Sequence, residues 1–149
     1  MTTVATDGQS MAADGQVSDH CETIVDHKRE KVRRLSDGRI VGAAGSAFDA
    51  VSWAAWLESG KEGDCPIDSD LFVGLILNKD GTVLWVDHKG REVAATPPCA
   101  IGSGQDLALG AMDAGATPGE AVNIACKRDP GSGGRIKIEY LTPRLEEAA

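Results

Sequence analysis

One apolar segment near the middle of the chain constrains the fold most. Residues 71–77 read LFVGLIL and contain no charged side chain. A run this short is typical of a β-strand, and its lack of polar alternation indicates a strand that is covered on both faces. A turn at residues 79–81 follows it, so the pattern predicts a β-hairpin with strands at 71–78 and 82–88. A sheet that contains such a strand needs a layer of structure on each side.

Shorter runs predict six more strands, which are bounded in several places by Asp-Gly turns. We expect these strands at residues 2–6, 10–13, 23–25, 31–35, 39–43 and 135–140. The last of them reads RIKIEY, whose period of two predicts a half-buried strand.

Three helices are predicted, at residues 46–58, at 105–114 and from Thr117 to the stop at Asp129-Pro130. The first begins with S-A-F-D, which resembles a capping box, and it sets Phe48, Val51, Ala55 and Trp56 along one apolar face. The third begins T-P-G-E, with Thr as N-cap, Pro at the first position and Glu at the third. This order of elements favours an α+β layered sandwich over alternating βαβ units. We expect one domain over residues 1–149, with a frayed tail at 142–149.

The formal net charge of −8 argues against several functions. Sequence-independent binding to nucleic acid needs clustered basic charge, and so does adhesion to anionic membranes. No apolar run approaches the roughly 18 residues of a membrane span, and the N-terminal sequence does not resemble a secretory signal. The four cysteines form no CxxC pair, which argues against a zinc ribbon and against a disulfide framework. We therefore expect a cytoplasmic protein with no nucleic-acid or membrane partner.

The start of the chain, Met1-Thr2-Thr3, carries the first candidate chemistry. Removal of an initiator methionine before a small residue would leave Thr2 with a free α-amine. A hydroxyl and an amine on one residue form a nucleophile with its own base, and an amine pKa of about 7.7–8.0 leaves a neutral fraction at physiological pH. Many chains begin Met-Thr without catalytic meaning, so Thr2 needs supporting residues.

A basic segment at residues 28–34, KREKVRR, is open to three interpretations. It can form a solvated strand edge, where basic side chains discourage edge pairing. It can form a nucleic-acid patch, although it lacks interleaved aromatic residues. Alternatively, one lysine faces inward beside Asp14 and favours deprotonation of the Thr2 hydroxyl.

Two Gly-Ser turns are the remaining candidates. Residues 101–104 (IGSG) lead into a helix, where backbone N–H groups can meet an anion or an oxyanion, whereas 129–134 (DPGSGG) lead into a strand and form no Walker loop. Both are also compatible with ordinary turns. Ser103 and Ser132 lack the GxSxG context of a hydrolase nucleophile. The histidines have no spacing typical of zinc hydrolases: His20, His27 and His88.

Together, these pieces resemble the proteasome β-subunit family, and within it the bacterial HslV-type subunit of an ATP-dependent protease. The resemblance begins at Thr2-Thr3-Val4 and continues in order through residues 12–16, 31–35, 42–45, 100–104 and 128–134. The last motif, RDPGSGG, is more similar to the proteasome's own version than to that of HslV. Six short motifs in the right order cover nearly the whole chain.

The resemblance implies a four-layer αββα sandwich of the N-terminal nucleophile hydrolase type and the activity of a threonine protease. Thr2 is the implied nucleophile after removal of Met1, with Lys31 lowering the pKa of its hydroxyl and Asp14 holding Lys31. The Gly45 N–H is implied to form the oxyanion hole. Three further residues are implied to orient the Thr2 amine: Ser103, Asp129 and Ser132.

The family pattern also implies the binding residues and the partners. Five positions match the pocket for the residue before the cut, and the two alanines among them indicate a roomy, mostly apolar pocket: Val17, Ser18, Arg29, Ala43 and Ala47. The chemistry implies no required cofactor, although carbonyls near Cys126, Asp129 and Ser132 are implied to hold a structural monovalent cation. The implied partners are further copies in a homo-oligomeric ring, an ATP-dependent unfoldase, and unfolded protein or peptide substrates.

The largest departure from the family pattern lies in the middle of the chain, and a smaller one is Ser46, where a second Gly is common in the family. Residues 59–70 (SGKEGDCPIDSD) are too short and too rich in Gly, Pro and Asp for the second long helix expected there, so one helical layer is predicted to be reduced. That helical layer meets the opposing ring in the family. Two alternatives therefore stay open: a non-catalytic assembly subunit with the same fold, and a small-molecule amidase of the same mechanistic class.

Overall fold

The computed structural model describes residues 1–142, in which eleven strands and three helices are formed. The first six strands are β1 (Thr3–Thr6), β2 (Ser10–Ala13), β3 (Val17–Ser18), β4 (Ile24–Asp26), β5 (Val32–Arg34) and β6 (Ile40–Ala44). Helix α1 (Ala47–Glu58) is followed by β7 (Val73–Leu77), β8 (Val83–Val86), β9 (Glu92–Ala95) and β10 (Cys99–Gly102). The chain continues through α2 (Gln105–Asp113), α3 (Pro118–Arg128) and β11 (Lys137–Tyr140). None of the helices in this part of the chain has the length and apolar character needed to cross a membrane.

Two antiparallel sheets lie face to face between layers of helix. The first sheet has the order β10-β1-β2-β11 and is covered by α2 and α3, while the second has the order β5-β6-β7-β8-β9 and is covered by α1 alone. β3 and β4 form a separate two-stranded ribbon. The predicted α+β layered sandwich, with one helical layer reduced, is confirmed. The predicted frayed tail lies outside the described residues from position 143 onward.

The sheets approach each other closely at Gly42 in β6. A Cβ atom at this position would lie 2.8 Å from Val4 Cγ1 and 3.0 Å from Met11 Sδ, so only glycine fits between the sheets here. Leu75 and Leu77 of β7 are buried in the same inter-sheet core. β7 lies in the middle of its sheet with α1 on the other face, as the apolar run predicted.

The buried face of α1 differs from the predicted one. Phe48 and Val51, assigned to one apolar face, are 86% and 43% exposed. The helix instead buries Trp53 and Leu57, together with Asp49. Asp49, Trp53 and Leu57 follow one another at a spacing of four and so lie on one side of the helix. The prediction was wrong because it assumed that the buried side would be wholly apolar, whereas the buried side includes the carboxylate of Asp49.

Asp49 can be buried because its carboxylate accepts two backbone hydrogen bonds. Its two oxygens accept hydrogen bonds from the backbone N–H groups of Asp68 at 3.1 Å and Ser69 at 3.0 Å. The capping box predicted for α1 is therefore incomplete, since only the Ser46 hydroxyl caps the helix, by accepting from the Phe48 N–H. Asp49 thus fastens the irregular segment at residues 59–72, which contains no helix, against α1. The capping box predicted for α3 is complete.

Changing Asp49 to Asn is expected to lower the free energy of unfolding by about 1.5–3 kcal/mol, because the amide cannot accept both hydrogen bonds as the charged group does. Urea unfolding measures this loss, and hydrogen exchange at the Asp68 and Ser69 amides should become faster. Asp106→Asn is the matched control, since it removes the same charge from the first turn of α2, where the side chain is exposed. Equal losses in the two variants would contradict the role given to Asp49.

Three strands were missed by the sequence analysis: β3, β9 and β10. β10 follows the Pro97-Pro98 pair, and consecutive prolines predict a loop. Its pairing partner, β1, lies almost a hundred residues earlier in the chain, so no local pattern indicates the strand. Its place in the sheet matters for the site, because it brings the turn at residues 102–104 beside the start of β1.

Candidate functional site

The candidate site lies where the ends of several strands meet. Because β1 runs antiparallel to both neighbours, its first residue is beside the last residues of β10 and β2, and this places Ser103 and Asp14 near Thr2. In the second sheet, the start of β5 and the end of β6 share an edge for the same reason, which brings Lys31 and Gly45 to that edge. Antiparallel pairing therefore gathers residues that are far apart in sequence.

Thr2, Lys31 and Asp14 are in direct contact. The Lys31 Nζ lies 3.1 Å from Thr2 Oγ1, 3.0 Å from Asp14 Oδ1 and 3.3 Å from the Met1 carbonyl oxygen. Lys31 and Asp14 form a buried ion pair whose side chains are 8% and 0% exposed. Burial lowers the pKa of Lys31 below its ordinary value of 10.5, although the Asp14 charge and hydrogen bond oppose that shift. The inward-facing interpretation of the basic segment is therefore the observed one for Lys31.

Asp14 is fixed by backbone donors as well as by Lys31. Its Oδ1 accepts from the Thr3 N–H at 3.0 Å, and its Oδ2 accepts from the N–H groups of Gln16 at 3.3 Å and Gly133 at 3.1 Å. A carboxylate held by this many donors has little freedom to move. Asp14 therefore fixes the Lys31 ammonium beside the Thr2 hydroxyl.

A second network surrounds Asp129 at the end of α3. Asp129 Oδ2 accepts hydrogen bonds from Ser103 Oγ and Ser132 Oγ, both at 2.6 Å, and Oδ1 accepts from the Gly131 N–H at 3.1 Å. Burial raises the pKa of Asp129, but these hydrogen bonds and the nearby N-terminal ammonium outweigh it, so the pKa lies below its ordinary value. Ser103 Oγ also lies 3.4 Å from the Thr2 carbonyl oxygen.

Thr3 joins the two networks and was not singled out from the sequence. Its N–H binds Asp14, and its hydroxyl lies 2.6 Å from Ser132 Oγ. Since Ser132 has one proton and directs it to the Asp129 carboxylate, the Thr3 hydroxyl is the donor to Ser132. The only sequence signal for this role is the position of Thr3 next to Thr2 at the start of a strand.

A cavity of about 290 Å³ opens beside Thr2 and Lys31. Every residue expected to bind substrate lines it: Val17, Ser18, Arg29, Ala43 and Ala47. Gly45 also lines the cavity, and so do the exposed side chains of Phe48 and Val51 from α1. The structure thus brings the expected nucleophile and the expected binding residues around one opening.

Met1 occupies space within the site. A Cβ atom on Gly131 would lie 2.4 Å from Met1 Cβ and 2.8 Å from Ser103 Oγ, so the methionine lies against the turn that follows α3. With Met1 in place, the Thr2 nitrogen is part of a peptide bond.

Cys126 lies near the Lys31–Asp14 pair but is not a candidate nucleophile. Burial, together with the charges of Asp14 and Asp129, raises the pKa of its thiol to about 11, against the opposing charge of Lys31. The thiol is therefore protonated at neutral pH, and a protonated thiol is a poor nucleophile.

The carbonyls expected to hold a cation lie at the end of α3. Residue 130 is a proline without an N–H, so the Cys126 carbonyl receives no helical hydrogen bond from position 130. The Asp129 carbonyl accepts from the Ser132 N–H at 3.1 Å. Within residues 1–142, no cluster of three or more His, Cys, Asp or Glu side chains could hold a metal ion. A cation at this turn would therefore depend on backbone oxygens.

Gly45 offers a test of the geometry at the cavity edge. Its φ is +116°, and a Cβ atom would lie 3.2 Å from Phe72 Cα and 3.3 Å from the Leu71 carbonyl oxygen. We expect Gly45→Ala to lower stability by about 1–3 kcal/mol through backbone strain, and to lower the kcat for a reporter peptide by at least about tenfold as the N–H moves.

Gly60→Ala is the matched control for this change. Gly60 also has a positive φ, of +79°, but a Cβ atom there would meet nothing within 4 Å. The control should lose stability in urea unfolding and keep full activity. A Gly45→Ala protein as active as the Gly60→Ala protein would remove Gly45 from the site.

None of the family models or curated protein sequences compared with the chain matches it. Solved structures do. HslV from Trypanosoma brucei superposes with a TM-score of 0.69 at 20% identity, covering 93% of this chain and 97% of that one. BPH from Thiobacillus denitrificans, solved in complex with epoxomicin, gives a TM-score of 0.70 at 20% identity over 96% and 100% of the two chains. A second BPH structure gives 0.67 at 21% identity over 97% and 100%. The chain therefore has the proteasome β-subunit and HslV type of fold, the αββα sandwich of the N-terminal nucleophile hydrolases.

Proposed function

We propose that this chain is a threonine-type endopeptidase subunit that acts after removal of Met1. One observation carries the proposal: the Thr2 hydroxyl lies 3.1 Å from the Lys31 ammonium, at the edge of a cavity wide enough for a side chain. Asp14 holds that ammonium from the opposite side at 3.0 Å. An opposite charge this close favours the ionised form of a hydroxyl, which is the requirement for a nucleophile.

The reaction begins when Thr2 Oγ attacks the carbonyl carbon of the peptide bond. The hydroxyl proton passes to the free α-amine of Thr2, directly or through a water, and the Oγ–C bond forms. The ammonium then protonates the leaving amine as the C–N bond breaks, which leaves an ester on Thr2. Water attacks the ester, its proton returns through the amine to Oγ, and the acid product leaves.

The surrounding residues stabilise charge and hold the reacting groups. Lys31 stabilises the developing alkoxide, and Asp14 keeps Lys31 in place. The Gly45 N–H binds the oxyanion of the tetrahedral intermediate, and each such donor typically contributes about 2.7–4 kcal/mol to catalysis. The Ser103–Asp129–Ser132 network lies beside Met1. Removal of Met1 would open space next to this network, and the new α-amine of Thr2 would lie there. We assign these serines and Asp129 to orienting that amine.

The proposed assembly rests on the fold that the chain shares with HslV and BPH. We propose a homo-oligomeric ring that acts in the cytoplasm on unfolded proteins or peptides delivered by an ATP-dependent unfoldase. No cofactor is needed for the chemistry, and a structural monovalent cation at the carbonyls of Cys126, Asp129 and Ser132 would hold the turn at the end of α3. The proline at position 130 supports that site, because it leaves the Cys126 carbonyl without the helical hydrogen bond that an N–H there would give.

Mass spectrometry of the native particle tests the proposal directly. The intact mass should show loss of Met1, and an epoxyketone such as epoxomicin, which is bound in one of the BPH structures, should add covalently to Thr2. A particle that keeps Met1, or one that lacks Met1 and takes up no epoxyketone while reporter peptides stay uncleaved, would contradict the proposal. A monomer that hydrolyses simple amides and leaves peptides intact would favour the amidase alternative.

A further inference from the structure

Two arginines line the cavity in addition to Lys31: Arg29 and Arg33. In the β5–β6 pairing, Arg33 lies opposite Val41, and paired residues in antiparallel strands project from the same face of the sheet. Val41 packs in the core beneath α1 and also lines the cavity, so Arg33 is on the cavity side of the sheet.

Neither arginine has an ion-pair partner within residues 1–142. Three other arginines of the same chain do have partners: Arg34, Arg39 and Arg91. Glu30 is the acidic residue of the lining, and its carboxylate is hydrogen-bonded to Lys137 at 3.1 Å. Lys137 is the main cause that lowers the pKa of Glu30, and the charge of Arg33 adds to that shift without forming an ion pair. Neither Arg29 nor Arg33 is therefore held in an ion pair that a ligand would have to break.

Arg29 is also close to the reacting groups. Its side chain is half-buried, and its charge is one of the factors that lower the pKa of Lys31. Lys31 itself is neutralised by Asp14, so the net positive charge in the cavity comes from the two arginines. The cavity is thus locally positive in a chain whose net charge is −8, and low-dielectric walls strengthen such a local field.

The rest of the wall is small and apolar. Val17, Ala43 and Ala47 provide it, and they leave space for the methylene groups of a side chain. A short apolar stem that ends in an anion would satisfy both parts of the wall. Arginine binds carboxylates in a forked, two-point geometry, which a neutral amide of the same shape cannot reproduce.

We propose that the cavity selects an acidic residue, with glutamate preferred, immediately before the cleaved bond, and that Arg29 and Arg33 bind its carboxylate. This inference rests on the proposed peptidase function and gives that function a substrate class. It also replaces the apolar preference that the two alanines alone indicate.

Matched fluorogenic peptides that differ only in the residue before the cut test the proposal on the mature particle. The kcat/KM for Glu should exceed that for Gln by about ten- to a hundredfold, the ratio expected for a hydrogen-bonded charge pair. The ratio should fall as salt is raised, because the pair is partly open to solvent. The Arg29→Met and Arg33→Met variants should each reduce the ratio, and the double variant should bring it close to one.

Arg91→Met is the matched control, because Arg91 is exposed, pairs with Asp87 and does not line the cavity. It should keep the full preference for Glu. The reversed variant Arg29→Glu/Arg33→Glu should instead cleave best after Lys.

The outcomes separate the two proposals. Cleavage after Leu or Gln that equals or exceeds cleavage after Glu would overturn the acidic preference and leave the peptidase proposal standing. A Glu preference that survives in the Arg29→Met/Arg33→Met protein would also overturn the assignment. A particle that cleaves none of the peptides and takes up no epoxyketone would overturn the peptidase function, and the inference would fall with it.

Discussion

Replacing Thr2 with alanine is expected to reduce the hydrolysis of reporter peptides by roughly 10⁴-fold or more, since no other hydroxyl lies in contact with the Lys31 ammonium within residues 1–142. The loss should appear in kcat, because the cavity that binds the peptide is unchanged. Thr2→Ser should retain measurable activity, because it keeps the hydroxyl and the α-amine. Initial rates with one peptide, together with the N-terminal residue of each variant, measure the effect.

Thr6→Ala is the matched control for the Thr2 substitution. Thr6 lies at the far end of β1, the strand that Thr2 precedes, and it is fully buried. Its hydroxyl donates to the Ser10 carbonyl at 2.7 Å, away from the site. Its loss should lower the free energy of unfolding by about 1 kcal/mol and leave the rate intact. A Thr2→Ala protein that still cleaves the peptide at the parent rate would show that the nucleophile lies elsewhere.

The sequence predicts the layered fold because its strongest signals are local. The apolar run at residues 71–77 becomes a central strand, and the T-P-G-E pattern becomes a complete capping box at the start of α3. The strands that were missed owe their existence to pairing across the chain. β10 follows two prolines and becomes a strand because β1 offers it an open edge.

The site shows the same division between local and long-range information. The turns around Ser103 and Ser132 are visible in the sequence as Gly-Ser motifs, but nothing local shows that both hydroxyls share Asp129 Oδ2. The basic segment could not identify Lys31 as its inward-facing member, because that depends on the register of β5 against β6 and on Asp14 17 residues earlier. Asp49 misled the analysis for a related reason, since its partners are backbone groups 19 and 20 residues later.

Replacing Lys31 with methionine is expected to lower kcat by about 10²–10³-fold, the loss typical of one electrostatic contact to a developing oxyanion or alkoxide. It should also lower the free energy of unfolding by about 3 kcal/mol, because it leaves the Asp14 carboxylate buried without its cation. The remaining N–H donors of Thr3, Gln16 and Gly133 keep the penalty near the lower end of the usual range. Urea unfolding and reporter-peptide kinetics measure the two losses separately.

The double variant Asp14→Asn/Lys31→Met separates the structural role of Lys31 from its chemical role. Removing both charges relieves the buried, unpaired carboxylate, so stability should recover in part relative to Lys31→Met, while activity should not recover.

The pH dependence of the rate gives a second test of the role of Lys31. Because burial places the pKa of Lys31 below 10.5, the ammonium is lost earlier in an alkaline titration than that of an ordinary lysine, and the rate should fall along that limb. The cost of burying the ammonium is present in full below the folded-state pKa and is relieved as the pH rises toward 10.5, so this contribution to stability increases while activity decreases. The alkaline limb should be absent from the residual activity of Lys31→Met. If Lys31→Met keeps both the rate of the parent protein and its fall in rate at alkaline pH, the role of Lys31 is structural only. The activation of Thr2 must then come from another group.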